Sequence, residues 1–155
     1  VLKYGYKEMN SWINIPNLEE RKKCITADLD NFLSNMNDSW QVRFSTGLKT
    51  ALIEKLSEDN VLQVLTKLIA EQHELETKEN NARTELLKFL QTDPAIDSKM
   101  CNNDSGILEK LDKMVEHQQY ELNKIGIPAF RVTQNKRELQ LQSKILQFTF
   151  GSTRE

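Results

Sequence analysis

Apolar residues recur along most of this chain at helical spacing, and the spacing changes character partway. Cys24 or Ile25, Leu29, Phe32, Leu33 and Met36 follow one another at steps of three and four, which places them on one face of a helix over about 18–36. Asn17, with Glu20 three residues on, provides a capping-box-like start, and Asn35 to Ser39 ends the segment. Trp40, Phe44, Leu48, Leu52 and Leu56 recur every fourth residue and predict a second helix over about 40–56, weakened at Gly47. Ile25, Leu29, Phe32, Met36 and Trp40 are the expected packing residues of this helical head.

From the N-cap run Ser57-Glu58-Asp59-Asn60 onward the period shortens. Val61, Leu65, Leu68, Gln72, Leu75, Glu79, Ala82, Leu86 and Phe89 alternate steps of four and three. An average of 3.5 over about four heptads marks a coiled-coil seam, here apolar at both ends and polar in the middle. A helix over about 59–91 would run roughly 50 Å at ~1.5 Å per residue. Thr92-Asp93-Pro94 stops it, 95–105 reads as a polar linker, and Asp104 or Ser105 offers a cap for the next helix. Leu108, Leu111, Val115, Gln118, Leu122 and Ile125 repeat the seam over about 106–125, and Gly126 with Pro128 ends it. A last helix is expected over about 134–147. Leu146-Gln147-Phe148-Thr149-Phe150 alternates with period two, as an extended strand or docking peptide would.

The pattern predicts an all-α chain in which a short helical head precedes long coiled-coil helices, elongated and part of a multi-chain helical rod. Residues 1–56 form the amino-terminal arm and head, 57–127 the shaft with its linker at 92–105, and 128–155 the carboxy-terminal helix and tail. The arm carries Leu2, Tyr4, Tyr6, Trp12, Ile13 and Ile15, a load that calls for a docking surface. Ile145, Leu146, Phe148 and Phe150 make the same demand at the other end, on the chain's own helices or on a second partner. The two seams are expected to pair with helical partner chains in an obligate hetero-oligomer, although the same stripes also suit an intrachain hairpin.

Composition narrows the chemistry. With 21 Lys and Arg against 23 Asp and Glu, the chain lacks the charge footprint of a general nucleic-acid binder. Residues 54–79 hold seven acids against three bases, and 128–155 five bases against two acids, an asymmetry suited to steering between proteins. No stretch approaches the ~20 apolar residues of a spanning helix. Cys24 and Cys101 match no metal or redox spacing and point to a reducing compartment. His73 and His117 have no histidine partner at i, i+4 as a helical zinc site would, and Glu71, Glu74, Glu76 and Glu79 spread around their helix rather than converging. No nucleophile elbow or phosphate-cradling loop occurs. No catalytic residue, metal ligand or cofactor is expected, and the chain is read as a non-enzyme. Asn37-Asp38-Ser39 and Asn103-Asp104-Ser105 fit the glycosylation pattern but read more plainly as helix starts. A first residue of Val1 suggests a fragment.

Several local runs line up with a family: Asp28-Leu29-x-x-Phe32, Asp38-Ser39-Trp40-Gln41-x-Arg43, Asn60-Val61, Ile69-Ala70-Glu71, then Ala82 and Leu86-Leu87 ahead of Pro94. Together they resemble fungal Dsn subunits of the kinetochore MIND complex. That resemblance implies a non-catalytic linker between centromere-bound proteins and the microtubule-binding outer complex, placed in the nucleus. Without it, the expectation is an intracellular, cytoplasmic protein. A vesicle-tethering or SNARE-type subunit and a compact regulatory domain binding an enzyme or chaperone share the same pattern.

Overall fold

Four helix starts among the described residues are marked by side chains that accept the first free N–H groups. Asn17 Oδ1 accepts from the amides of Glu19 and Glu20 and opens α1, Leu18–Ser34. Asn37 does the same for α2, Asp38–Arg43, and Ser45 Oγ for α3, Thr46–Leu56. The long α4, Asp59–Phe89, is followed by α5, Ile96–Lys124, and α6, Lys136–Phe150, the last opened by Asn135. The computed structural model describes residues 11–150 and the backbone of residues 3–4 and 152–153. Those two dipeptides, β1 (Lys3–Tyr4) and β2 (Ser152–Thr153), pair antiparallel and bring the two ends of the chain together. The described body between them is all-helical, as the periodicity predicts.

Three boundaries differ from expectation. The helix predicted over 40–56 breaks at Phe44, because Ser45 caps a new helix and the turn lets the Phe44 ring bury completely. The polar linker is largely helical. Residues 96–105 belong to α5, which follows a turn in which the Asp93 carboxylate accepts from the Ala95 amide. Met100 buries and Asp104 pairs with Arg83 of α4, so tertiary contacts overcome a locally poor helix sequence. Asp104 and Ser105 therefore lie inside the helix and cap nothing. The tail stretch 146–150 is helical rather than extended.

α1 packs on α3, α3 on α4, and α4 on α5. The main core runs from Trp12 through Ile25, Leu29, Leu52, Leu56 and Leu65 to Leu122 and Phe148. Burying a side chain of this size contributes about 1.5–3 kcal/mol. Trp12 sits 5.3 Å from the Phe148 ring and donates its indole N–H to Asp28 at 2.7 Å, so the arm docks on the chain's own α1 and α6. Leu2, Tyr4 and Tyr6 lie outside the described side chains. Buried Arg21 ties the arm to the α3–α4 corner, donating to the carbonyls of Ile15 and Ser57 and to Asp59.

On α4 the main core ends at Ile69, and on α5 it resumes only at Leu122. Between those points the two helices pair with each other as an antiparallel hairpin. Gln72 meets Gln118, Glu79 meets Lys110 and Arg83 meets Asp104, the α5 number falling as the α4 number climbs. The long seam thus packs within the chain along this hairpin, and the all-helical fold does not show an elongated coiled-coil rod. Gly126, with φ of 85°, ends α5 as expected. The Ile127 amide turns back to the Leu122 carbonyl at 3.0 Å, and a Cβ on Gly126 would lie 2.9 Å from the Lys55 side chain.

Candidate functional site

Where α5 and α6 diverge beside Gln72 of α4, they enclose an open groove of about 610 Å³. The hairpin register positions one wall, and α6 supplies the other through Leu139, Gln142 and Leu146. Polar amides stitch its base. Gln118 Nε2 donates to Gln72 Oε1 at 2.8 Å, and Gln119 Nε2 donates to Gln142 Oε1 at 2.9 Å. Gln142 Nε2 in turn donates to the carbonyls of Ala129 and Arg131. Val115, Leu146 and Phe150 add apolar surface, so the groove offers both hydrophobic contact and hydrogen-bonding groups.

The expected seam residues divide into three groups. Val61, Leu65, Leu68 and Leu122 are buried in the head core. Gln72 and Glu79 make polar contacts across the hairpin, with Leu75, Leu86 and Leu111 half-buried around them. Phe89 is 84% exposed, Leu108 60% and Val115 39%, which leaves apolar surface along the hairpin. In the head, Ile25 and Leu29 are fully buried, while Phe32, Met36 and Trp40 pack partly buried against the core. At the carboxy end Ile145, Phe148 and Phe150 lie in the chain's own core, and half-buried Leu146 lines the groove.

Sequence reasoning passed over the glutamines at 119 and 142. Their signal was positional. Each sits on the apolar side of its helix, near Leu122 and Ile145, where a polar residue needs a partner. Of the two glycosylation patterns, the first marks a helix start as expected and the second does not: Asn37 is an N-cap, whereas Asn103 lies within α5.

Electrostatics at the hairpin's far end are organised by exposed ion pairs. The hydrogen bond and charge of Arg83 hold the Asp104 carboxyl below the usual carboxylate range, and Asp104 raises Arg83 in return. Asp93 is lowered by the bond from Lys99 and then by the Ala95 amide, and Glu138 by Thr133 and Arg131. Among the described residues, no group of three or more His, Cys, Asp or Glu is placed to hold a metal ion. Nor is any helix there long and apolar enough to cross a membrane.

Residues 83–153 match the family model described as DiGeorge syndrome critical region 6 (DGCR6) protein. The chain is also 28% identical over 162 residues to the gonadal protein gdl of Drosophila melanogaster, covering 90% of this chain and 84% of that relative. These likenesses point to the DGCR6 family. No solved structure matches the chain. The resemblance to fungal Dsn subunits is overturned by these matches, and the kinetochore, centromere and chromosome-segregation role drawn from it falls too. The runs that carried it are short, and their residues have local duties. Asp28 holds Trp12, while Trp40 lies beneath the Arg43 guanidinium at 4.4 Å.

Proposed function

We propose that this chain is a non-catalytic protein-interaction module that receives a helical segment of a partner protein in the groove between α5 and α6. The observation that carries this reading is the exposed apolar side chains of Val115 in the groove and of Leu108 two turns earlier on α5. A helix laid along that line would add a third strand to the antiparallel hairpin, extending a 3.5-residue seam that the chain fills with only two. Every residue lining the groove except Gln72 falls within the stretch matched by the DGCR6 family model. The reading thus places the binding surface in the portion of the chain that resembles that family.

The experiment is comparative capture. Tagged wild type and the variants Val115→Glu and Leu108→Glu are incubated with the same extract, and bound proteins are quantified by mass spectrometry. Both sites are already partly exposed, so the helical content and melting temperature of the variants should match wild type. A set of proteins retained by wild type and lost from both variants supports the groove. Equal recovery by all three overturns it.

A further inference from the structure

The residues lining the groove include one acid on the α5 wall, Asp112, and one base on the α6 wall, Lys144. On α5, Glu109, Asp112 and Glu116 stand at steps of three and four, hence along one face, and Asp112 lines the groove itself. The ion pairs of α5 run from Lys99, Asp104, Lys110 and His117, and leave these three carboxylates out. On α6, Lys144 lines the groove, and Arg137 lies two turns earlier on the same side. Arg43 of α2 joins them, donating to the Arg137 carbonyl at 2.6 Å. The acid of α6, Glu138, is turned away into bonds with Arg131 and Thr133 and does not neutralise that edge.

We infer that the partner segment is an amphipathic helix with a basic flank and an acidic flank on either side of its apolar stripe. Its stripe lies on Val115, Leu139 and Leu146, its Lys or Arg residues face Glu109, Asp112 and Glu116, and its Asp or Glu residues face Arg43, Arg137 and Lys144. A helix reversed end for end presents its flanks the other way round, so the opposed edges also fix the direction in which the partner lies. This rests on the groove reading and adds the partner's charge pattern to it.

Three synthetic helical peptides test the assignment by fluorescence anisotropy against the full chain. They share one leucine stripe at i, i+3, i+4 and i+7, and differ in their flanks: one Lys and one Glu, both Lys, or both Glu. Exposed ion pairs each change affinity by roughly twofold, so three or four should favour the mixed-flank peptide by about tenfold over either same-sign peptide. That preference should shrink as salt is raised. Reversing one edge, with Arg137→Glu and Lys144→Glu together, should transfer the preference to the all-Lys peptide. The opposite reversal, Asp112→Lys with Glu116→Lys, should transfer it to the all-Glu peptide and stands independently should the first pair of changes disturb α6. Equal binding of all three peptides to wild type overturns the charge pattern and leaves the groove standing. Failure of all three to bind overturns both.

Discussion

Gln119 of α5 and Gln142 of α6 are buried side chains joined by a 2.9 Å amide–amide hydrogen bond, and this contact pins the last helix against the hairpin. Gln142 also donates to the carbonyls of Ala129 and Arg131, so it holds the loop in which Ala129 adopts a φ of 70°. Replacing Gln142 with leucine removes an acceptor and two donations at once. Leaving such buried groups without partners should lower unfolding free energy by about 3 kcal/mol in urea titration. Gln119→Leu removes one donor and should cost less, about 1 kcal/mol. Equal effects from the two substitutions would show that Gln142 does not serve as the hub.

Phe89 and Phe148 both lie near the carboxy end of a helix, yet they should respond very differently to truncation. Phe148 is fully buried and touches the Trp12 and Phe32 rings, at 5.3 and 5.4 Å. Phe148→Ala should cost about 3–5 kcal/mol. Phe89 is 84% exposed, and Phe89→Ala should stay within about 0.5 kcal/mol of wild type. Paired denaturation curves check both values.

This contrast also shows what the sequence could and could not convey. Caps are local, so Asn17 and Gly126 were legible as a helix start and a helix stop. Periodicity placed Ile25, Leu29, Val61 and Leu65 on buried faces, because an apolar stripe must be covered by something. It could not say by what. The hairpin rests on Arg83 meeting Asp104 and Gln72 meeting Gln118, contacts between residues far apart in sequence. The same distance hid the helical character of 96–105, whose polar residues favour a linker until α4 is beside them. The groove was illegible for a related reason: it is made by the divergence of two helices, and its glutamines gain meaning only when paired.

The carboxylates of Asp93 and Asp104 give the hairpin a defined response to acid. Both are held below the ordinary carboxylate range, by Lys99 and by Arg83 respectively. A group depressed in the folded state adds stability that is present above its unfolded value, about 4, and lost as pH falls through the folded one. Hydrogen exchange in 96–106 should therefore accelerate relative to the head as pH drops below about 4, after correction for intrinsic rates. Asp104→Asn should flatten that response. An identical acid response in wild type and Asp104→Asn would remove the Arg83 contact as its origin.

The polar middle of the hairpin seam makes the last prediction. Gln72 accepts from Gln118, and Glu79, only 8% exposed, accepts from Lys110. Leucine at these positions would bury more apolar surface, so the polar residues lower stability in exchange for a contact that fits a single register. Gln72→Leu alone takes the acceptor from Gln118 and should destabilise by about 1 kcal/mol. Adding Gln118→Leu and Glu79→Leu should reverse the loss and raise the melting temperature above wild type. The gain should come with a loss of uniqueness, because an all-leucine seam tolerates a slip of one heptad and attracts further helices. Doubled backbone resonances for α4 and α5, or species larger than wild type in sedimentation velocity, would register that loss. A triple variant that melts higher while keeping a single resonance set and the wild-type sedimentation profile would show that the polar pairs do not set the register.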